Sequence, residues 1–272
     1  MSLETFHIFN PNLNNHILTL TLNHGHVNEM GKTELKAWES LVQFLNKGDV
    51  RVLITQSTKQ SKRGKPIFIA GANVKERTNW SDQEVRSHVR WQRNILHSLR
   101  HCPVFHICIV SGIALGWGTE FLLTSDYRLC TPQALFGLPE TGLGIIPGAG
   151  GTSDLWVEIG ITQALRLGMT GERISAQEAC RINLCQELHE TTQAALQRAH
   201  ELAALICKRS PTAVAGFKSA LLACVGRGAN LRRGLEARAY EHCVNTKEAS
   251  IGRQNFGKDT LIPWGPLNPF KP

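Results

Sequence analysis

The sequence of 272 residues predicts an α/β core followed by a helical C-terminal region. Near the N-terminus, residues 16–22 and 50–55 are rich in β-forming side chains, and residues 31–45 between them have the apolar spacing of a helix. Strand, helix and strand in this order are the unit of a parallel α/β fold. From about residue 161 onward, strand signals fade and helical patterns dominate.

Further elements follow along the chain. A buried strand at residues 67–69 leads into a glycine turn, and residues 82–99 have the pattern of an amphipathic helix. The apolar side of that helix consists of Val85, Val89, Leu96 and Leu99. Another buried strand, at residues 106–110, precedes a second glycine turn at 112–118. The C-terminal helical patterns cover residues 174–182, 191–210, 211–225 and 231–244.

The chain is basic, with 30 lysines and arginines against 22 acidic residues and a net charge of +8. Such a charge attracts anionic partners. Because the basic residues are scattered, nucleic acid and a phosphate-bearing small molecule both remain open as partners. The basic segment at residues 57–65 is either a phosphate-binding loop or a solvated surface loop.

The eight cysteines lie at irregular intervals without a C-x-x-C pair, as is typical of reduced thiols in a cytosolic protein. The eleven histidines show no grouping with carboxylates or cysteines that would hold a metal ion. The N-terminal residues lack the pattern of a secretory signal, and the longest apolar region, about residues 104–118, is too short to cross a bilayer. We therefore expect a cytoplasmic protein without a metal site or a membrane segment.

Two glycine turns follow buried strands and are candidates for binding a developing negative charge. The segment 112–118, GIALGWG, leads into a helix whose first N–H groups have no partner within that helix. Ala70, Gly71 and Ala72 form a second turn after the strand at 67–69. If the two strands are neighbours in one sheet, N–H groups of both turns can face one point and form an oxyanion hole. Glycine at such corners more often serves backbone geometry alone.

Glu120 and Glu140 are the candidate acid and base. Glu120 comes just after the second glycine turn, and Glu140 lies in a constrained, glycine-rich loop, FGLPETGLGIIPGAGGT, at residues 136–152. Closely spaced buried carboxylates can hold different protonation states when the pKa of one is raised. The spacing alone leaves two alternatives open, in which Glu120 simply favours a helix N-terminus and Glu140 is a solvated turn residue.

Several segments between about residues 16 and 220 resemble the enoyl-CoA hydratase (crotonase) family. The most specific is the glycine-rich loop at 136–152, and IAGANVKE at 69–76 and GIALGWGTE at 112–120 resemble the two oxyanion turns of that family. Weaker matches are SDYRL at 125–129, MTGERISAQEA at 169–179 and PTAVAGFK at 211–218. All of them occur in the order that the family has.

The resemblance implies a crotonase-like ββα superhelix with two roughly perpendicular sheets and a helical C-terminal region. It divides the chain into an α/β core domain at residues 1–200 and a helical trimerisation region at residues 201–272. The implied assembly is a homotrimer or a dimer of trimers. The implied substrate is an acyl-CoA thioester, in the setting of fatty acid metabolism, and no metal or redox cofactor is required.

The resemblance also assigns roles to individual residues. Glu120 matches the glutamate that helps to activate water for attack at C3, and Glu140 matches the one that exchanges a proton with C2. The backbone N–H groups of Ala72 and Trp117 match the oxyanion hole for the thioester carbonyl. The expected substrate-binding residues are Gly71, Asn73, Val74, Lys75 and Gly116. Because both glutamates are present, hydration of the 2,3 double bond is favoured over isomerisation, decarboxylation or hydrolysis.

Three residues depart from the pattern of the family. Trp117 stands where glycine is usual, and its indole either lines the acyl pocket or packs behind the turn as part of the core. Asn73 replaces a usual aspartate, and Asp154 stands where a basic or amide residue is common. Both changes affect the anchoring of loops and argue against a standard short-chain substrate.

Other functions remain as alternatives. Isomerisation or C–C bond cleavage of an acyl-CoA would use the same glutamate pair differently. A nucleic-acid-binding protein belongs to another class, since one branch of the family binds AU-rich RNA and this chain is basic. No helix rich in lysine and arginine and interleaved with aromatic residues stands out, so nucleic acid is not the expected partner. A catalytically silent scaffold is disfavoured by the intact pair of glutamates.

Overall fold

The computed structural model describes residues 2–258 and 260–272. In these ranges the strands are β1 (Pro11–Asn14), β2 (Ile17–Leu22), β3 (Val52–Ser57), β4 (Ile67–Ile69), β5 (Phe105–Val110), β6 (Ile113–Leu115), β7 (Tyr127–Cys130), β8 (Leu135–Gly137), β9 (Arg173–Ser175) and β10 (Glu187–Leu188). The α-helices are α1 (Lys32–Leu45), α2 (Asp82–Arg100), α3 (Trp117–Leu122), α4 (Leu155–Ile159), α5 (Ile161–Thr170), α6 (Ala176–Arg181), α7 (Thr192–Cys207), α8 (Pro211–Cys224), α9 (Ala229–Asn245) and α10 (Glu248–Gln254). Short 3-10 helices lie at Leu3–Phe9, Lys75–Arg77 and Pro139–Leu143.

The described strands form a six-stranded sheet with the order β1-β2-β3-β5-β7-β10 and a four-stranded sheet with the order β4-β6-β8-β9. Pairing is parallel except for β1 with β2 and β8 with β9. The consecutive pairs β3 and β4, β5 and β6, and β7 and β8 each give one strand to each sheet. Because α2 follows the first of these pairs and α3 the second, the chain runs through repeated ββα units.

The six-stranded sheet is covered on both faces, which explains the nearly continuous apolar sequences of its central strands. On one face, α7 packs Ala195, Ala199 and Ala203 against apolar residues of β3, β5 and β7. These alanines are four residues apart, so they lie on one side of the helix and let it approach the sheet closely. The other face belongs to the main core, which includes Leu53 and the fully buried Trp38 of α1.

The main elements of the predicted α/β core are confirmed. The strands expected at 16–22 and 50–55 are β2 and β3, and the helix expected between them is α1. The helical C-terminal patterns correspond to α6, α7, α8 and α9. The expected division between residues 200 and 201 falls within α7, and the assignment of separate regions on either side of it stays a prediction. Every helix in the described part of the chain is too short or too polar to cross a membrane.

After residue 161, where helices dominate as expected, the structure also has two short strands. β9 adds an antiparallel strand to the four-stranded sheet, and β10 adds a parallel one to the six-stranded sheet. These strands have three and two residues, which is too short for an alternating pattern to show in the sequence. The segment 174–182 therefore begins in β9, and the Ser175 side chain accepts a hydrogen bond from the Glu178 N–H to start α6.

The helix expected at 82–99 is present as α2, but its buried face differs from the predicted one. Leu96 and Leu99 are buried as expected, whereas Val85 and Val89 are only partly buried. The residues of α2 that are buried are His88, Gln92, Ile95, Leu96 and Leu99. Two polar side chains thus point into the protein, at positions that the apolar pattern of the sequence could not identify.

A buried arginine connects several parts of the fold. The Arg128 side chain is 2% exposed and donates to the carbonyl oxygens of Leu184 at 2.7 Å and Ser125 at 2.9 Å. It also donates to Glu158 of α4 at 2.8 Å, and Arg100 of α2 pairs with the same carboxylate at 3.0 Å. These bonds link α2, α4, β7 and the segment before β10, so we expect Arg128 to be important for stability.

Replacing Arg128 with methionine should lower the free energy of unfolding by about 3 kcal/mol, because the carbonyl groups and part of the Glu158 carboxylate lose a buried donor. Urea denaturation at fixed protein concentration measures the loss. Arg232→Met is the control, since that arginine is exposed on α9 and its removal should change stability by less than about 0.5 kcal/mol. Equal stability of the two variants would contradict the role given to Arg128.

Candidate active site

The two glycine turns lie side by side because the strands before them are neighbours. β4 pairs with β6 in parallel, with Ile67 opposite Ile113 and Ile69 opposite Ala114. Because the two strands are neighbours in one sheet, the N–H groups of both turns can face one point. A Cβ atom at position 118 would clash with the carbonyl oxygen of Ile69, so glycine at this position allows the close approach.

The backbone N–H groups of Ala72 and Trp117 are both placed to donate a hydrogen bond to a ligand. Trp117 is the first residue of α3, where an N–H has no acceptor within its own helix. Met30 donates to the carbonyl of Gly71 and accepts from the N–H of Asn73, and these two bonds flank Ala72. In such a parallel bridge the N–H of Ala72 points to the opposite side. Ala72 and Trp117 border the same cavity.

Glu120 lies in the first turn of α3 and is 3% exposed. Its Oε1 accepts hydrogen bonds from the N–H groups of Ala149 at 2.7 Å and Gly151 at 3.0 Å. Burial raises the pKa of Glu120, and the hydrogen bonds from Gly151 and Ala149 oppose that rise because they favour the ionised carboxylate. Glu120 is thus a buried carboxylate with dedicated donors for its charged form.

Glu140 lies in the 3-10 helix at Pro139–Leu143 and is 9% exposed, so the alternative of a solvated turn residue is wrong. Its Oε2 is buried and has no hydrogen-bond partner among the described residues. Gly116 has a φ of 53°, which favours glycine, and a Cβ atom at this position would lie 2.7 Å from Oε1 of Glu140 and displace that carboxylate. Burial, together with the negative charge of Glu120, raises the pKa of Glu140 to about 7.

Both carboxylates border a cavity of about 150 Å³, which we call the glutamate cavity. Its lining residues come from both glycine turns, from α2 and from the loop that carries Glu140. They include Gly71, Ala72, Val74, Arg77, Val89, Gln92, Gly116, Trp117, Glu120, Glu140 and Ala149. Two buried carboxylates with different surroundings and the residues of two backbone N–H groups thus border one small cavity.

A larger cavity of about 750 Å³, the lysine cavity, adjoins the first oxyanion turn. Lys59 and Lys62 of the basic segment line it together with Lys75. Ala72 and Val74 border both cavities, so the two spaces are contiguous along this turn. Three lysines around one cavity are compatible with phosphate binding, and Lys62, Arg63 and Lys65 of the basic segment are exposed, as in a surface loop.

The structure brings together the residues that the sequence singled out. Gly71 and Gly116 border the glutamate cavity, whereas Asn73 and Lys75 border the lysine cavity. Sequence reasoning missed Arg77, Val89, Gln92, Ala149 and Gly151. Ala149 and Gly151 could have been found from the run of glycines in their loop, since exposed N–H groups there are available to an acceptor. No pattern in the sequence indicates that Gln92 is buried.

Trp117 satisfies parts of both hypotheses for its ring. The residue is 3% exposed, and its ring stacks on Phe121 of the core with centroids 5.6 Å apart. The residue also borders the glutamate cavity. The indole Nε1 is buried without a hydrogen-bond partner among the described residues.

Another cavity, of about 610 Å³, lies beside α8 and also contains two carboxylates. These are already paired, Asp126 with Lys218 at 2.8 Å and Glu158 with Arg100 at 3.0 Å. Neither is poised for proton transfer in the way that Glu120 and Glu140 are. In the described ranges, no group of three or more His, Cys, Asp and Glu side chains could hold a metal ion.

Known proteins are similar to this chain in sequence and fold. The model of the family described as enoyl-CoA hydratase/isomerase matches residues 12–265. The putative enoyl-CoA hydratase/isomerase YngF of Bacillus subtilis is 36% identical over 248 residues, which are 89% of this chain and 92% of the relative. The probable mitochondrial enoyl-CoA hydratase 2 of Arabidopsis thaliana is 34% identical over 235 residues, 85% of this chain and 73% of the relative.

A solved structure agrees with these matches. The enoyl-CoA hydratase from Bacillus anthracis has a TM-score of 0.84 and 32% sequence identity to this chain, covering 93% of this chain and 95% of its own. The fold is therefore the crotonase fold that the sequence predicts. The chain belongs to the enoyl-CoA hydratase/isomerase family.

The raised pKa of Glu140 predicts a pH-dependent cost in stability. Between pH 4.5 and 7 the unfolded chain loses this proton while the folded chain keeps it, so stability falls as pH rises. At pH 8, Glu140→Gln should be more stable than the wild type by up to roughly 3 kcal/mol, and near pH 4.5 the gain should vanish.

Chemical denaturation at several pH values measures this difference. Glu190→Gln serves as the control because Glu190 is exposed and bonds to no residue in the described chain. If Glu140→Gln is more stable than the wild type by the same amount at pH 5 and at pH 8, the pKa of Glu140 is not raised.

Proposed function

We propose that this protein hydrates the 2,3 double bond of an α,β-unsaturated acyl-CoA. The observation that carries the proposal is the pair of buried carboxylates at one small cavity, one of which accepts hydrogen bonds from two backbone N–H groups. Adding water across a double bond requires a base for the water and an acid for the neighbouring carbon. Glu120 and Glu140 have the surroundings that these two roles demand.

Glu120 is the base in this mechanism. The N–H groups of Ala149 and Gly151 stabilise its ionised form, which accepts a proton from water as the water oxygen attacks C3. Burial keeps the carboxylate poorly solvated, so its basicity is greater than that of a glutamate in water.

Glu140 is the acid. With a pKa of about 7, it is protonated in roughly half of the molecules at neutral pH, and it gives this proton to C2. The water proton ends on Glu120, so the pair as a whole holds one proton before and after the addition. Exchange of that proton between the carboxylates restores the starting state. The proposed addition is of the syn type, with the hydroxyl group and the proton added to the same face of the double bond.

The N–H groups of Ala72 and Trp117 hold the thioester oxygen. As water attacks C3, negative charge moves onto this oxygen and an enolate-like transition state forms. Two fixed donors stabilise the charge without reorganising, and the first turn of α3 adds the positive end of its dipole. Oxyanion binding and proton transfer therefore act on the same transition state.

The lysine cavity is the proposed site of the coenzyme A part of the substrate. Lys59, Lys62 and Lys75 supply positive charge for its phosphates, and Ala72 and Val74 lead from this cavity to the glutamate cavity. The net charge of +8 also attracts such an anionic substrate. The substrate-binding roles of Gly71, Asn73 and Gly116 follow from their positions on the same two turns.

The proposed assembly is a homotrimer or a dimer of trimers. The C-terminal helices expose large apolar side chains, among them Phe217 of α8 and Tyr240 of α9, which are 72% and 71% exposed in the single chain. Exposed apolar surface of this kind is typical of subunit contacts. The cytoplasmic location stays a prediction from the sequence.

Glu120→Gln and Glu140→Gln should each lower the turnover of an enoyl-CoA by roughly 10²–10⁴-fold with little change in binding, because each removes one proton-transfer group and keeps the shape of the side chain. Loss of the conjugated absorbance measures hydration, with Glu190→Gln as the control. If the wild type only moves double bonds between the 2,3 and 3,4 positions, the protein is an isomerase. If it consumes neither kind of substrate, both activities are excluded.

Hydration should decline above about pH 7, approaching a tenfold loss for each further pH unit, because the Glu140 carboxyl loses its proton. Dehydration of the 3-hydroxyacyl-CoA should decline over the same range, since both directions need exactly one proton on the carboxylate pair. The measurement is kcat/KM in both directions from pH 5 to 9. A hydration rate that stays constant up to pH 9 would show that Glu140 is not the acid.

A further inference from the structure

The loop that holds Glu120 is itself held from outside the glutamate cavity. Nε of Arg93 on α2 donates a hydrogen bond to the carbonyl oxygen of Gly148 at 2.8 Å. The peptide group that contains this carbonyl also contains the N–H of Ala149, which donates to Oε1 of Glu120 at 2.7 Å. Because the C=O and N–H of a planar trans peptide point to opposite sides, Arg93 and Glu120 bind one peptide group from its two sides.

Two hydrogen bonds in series thus connect the guanidinium of Arg93 with the carboxylate of Glu120. Hydrogen bonds in a chain strengthen one another by roughly 10–30% per bond, and a cation at the carbonyl oxygen makes the N–H of the same peptide a better donor. A better donor favours the ionised carboxylate. Burial raises the pKa of Glu120, whereas the two backbone hydrogen bonds and the positive charge of Arg93 lower it.

Packing fixes the position of the loop against α2. A Cβ atom at position 148 would lie 3.0 Å from Cγ1 of Val89, so glycine brings the loop backbone close to this helix. The hydroxyl group of Thr152 donates to the carbonyl oxygen of Pro147 at 2.8 Å and closes the loop on itself. A change in charge or hydrogen bonding on the α2 side can therefore reach Glu120 without a large movement of the backbone.

Asp154 brings a negative charge to the same loop. Its N–H donates to the carbonyl oxygen of Gly150 at 2.8 Å, and a Cβ atom at position 150 would lie 3.4 Å from its Oδ2. Asp154 forms no ion pair with a residue in the described part of the chain. Burial raises the pKa of Glu120, and the charge of Asp154 raises it further, whereas that of Arg93 lowers it. A basic or amide residue is common at this position in the family, so the carboxylate is a departure of this chain.

A separate cavity of about 400 Å³ lies between α2 and this loop. The charged and titratable side chains that border it are those of Arg93, His97, Arg100, Glu120 and Asp154. Arg100 is already paired with Glu158 at 3.0 Å. Glu140 adds a further carboxylate at the glutamate cavity. Among the described residues that line the glutamate cavity, neither Arg93 nor Asp154 is present, so neither contacts a substrate held there.

We propose that Arg93 and Asp154 are positioning residues that act on Glu120 in opposite directions, from outside the glutamate cavity and through the glycine-rich loop. This inference rests on the proposed function in that Glu120 is taken as the base. Arg93 favours the ionised carboxylate through the peptide that both residues bind. Asp154 makes the same carboxylate hold a proton more strongly. Both residues therefore affect proton transfer and not the binding of acyl-CoA.

The first experiment follows the ionisation of Glu120 without catalysis. NMR titration of the protein with glutamate labelled by carbon-13 at Cδ gives the apparent pKa of each carboxyl group, and Glu120→Gln identifies the signal. Arg93→Gln should raise the pKa of Glu120 and Asp154→Asn should lower it. Arg90→Gln on α2 and Asp49→Asn are the matched controls, since both remove an exposed charge and should leave this signal unchanged.

The second experiment measures kcat/KM for hydration from pH 5 to 8 in the same variants. On the acidic side of the profile the rate depends on the ionised fraction of Glu120. At one acidic pH, Arg93→Gln should lower kcat/KM about threefold and Asp154→Asn should raise it by about as much, since water screens the charges of these partly exposed side chains. The Kd of butyryl-CoA, measured by calorimetry, should stay within about twofold of the wild type in every variant.

Three outcomes would decide the matter. Shifts of the same sign in Arg93→Gln and Asp154→Asn would mean that both changes merely loosen the loop, which overturns the inference. Profiles and titrations that match those of the controls would also overturn it, while hydration by the wild type would leave the proposed function intact. Opposite shifts in the NMR titration without turnover of any enoyl-CoA would support the inference and refute the hydratase activity alone.

Discussion

The parallel pairing of β4 with β6 is the constraint on which the site depends. It sets two strand ends next to each other, so that the turns after them present Ala72 and Trp117 to one cavity. Gly118 lets α3 begin directly against the Ile69 carbonyl, and the same helix then places Glu120 one turn further on. A shift of either strand along the other would separate the N–H groups and move the carboxylate with them.

Burial of two carboxylates in one small space is the second determinant, and the protein treats the two differently. Glu120 receives two backbone N–H groups, whereas Glu140 has an oxygen without a donor in the described structure. Burial raises the pKa of both, and the N–H groups of Gly151 and Ala149 oppose the rise for Glu120. The difference between acid and base thus comes from backbone geometry and not from residue type.

Much of the fold and of the pair of glutamates could be predicted from the sequence. β2, α1 and β3 carry strong periodic patterns, and the glycine turns mark the places where strands give way to exposed N–H groups. β9 and β10 could not be predicted because two or three residues carry no period. Gln92 and His88 also escaped prediction, since the burial of a polar side chain depends on which neighbours the tertiary structure brings to it.

The loop from Pro139 to Gly151 carries Glu140 at its start and the donors to Glu120 at its end. The ionisation of both carboxylates is consequently controlled by one short piece of backbone. Displacing it withdraws the N–H groups from Glu120, which raises the pKa of that group, and exposes Glu140 to water, which lowers the pKa of the other. The two carboxylates then lose the separate surroundings that give them different roles. Disorder in this loop would therefore abolish activity although both carboxylates remain in the chain.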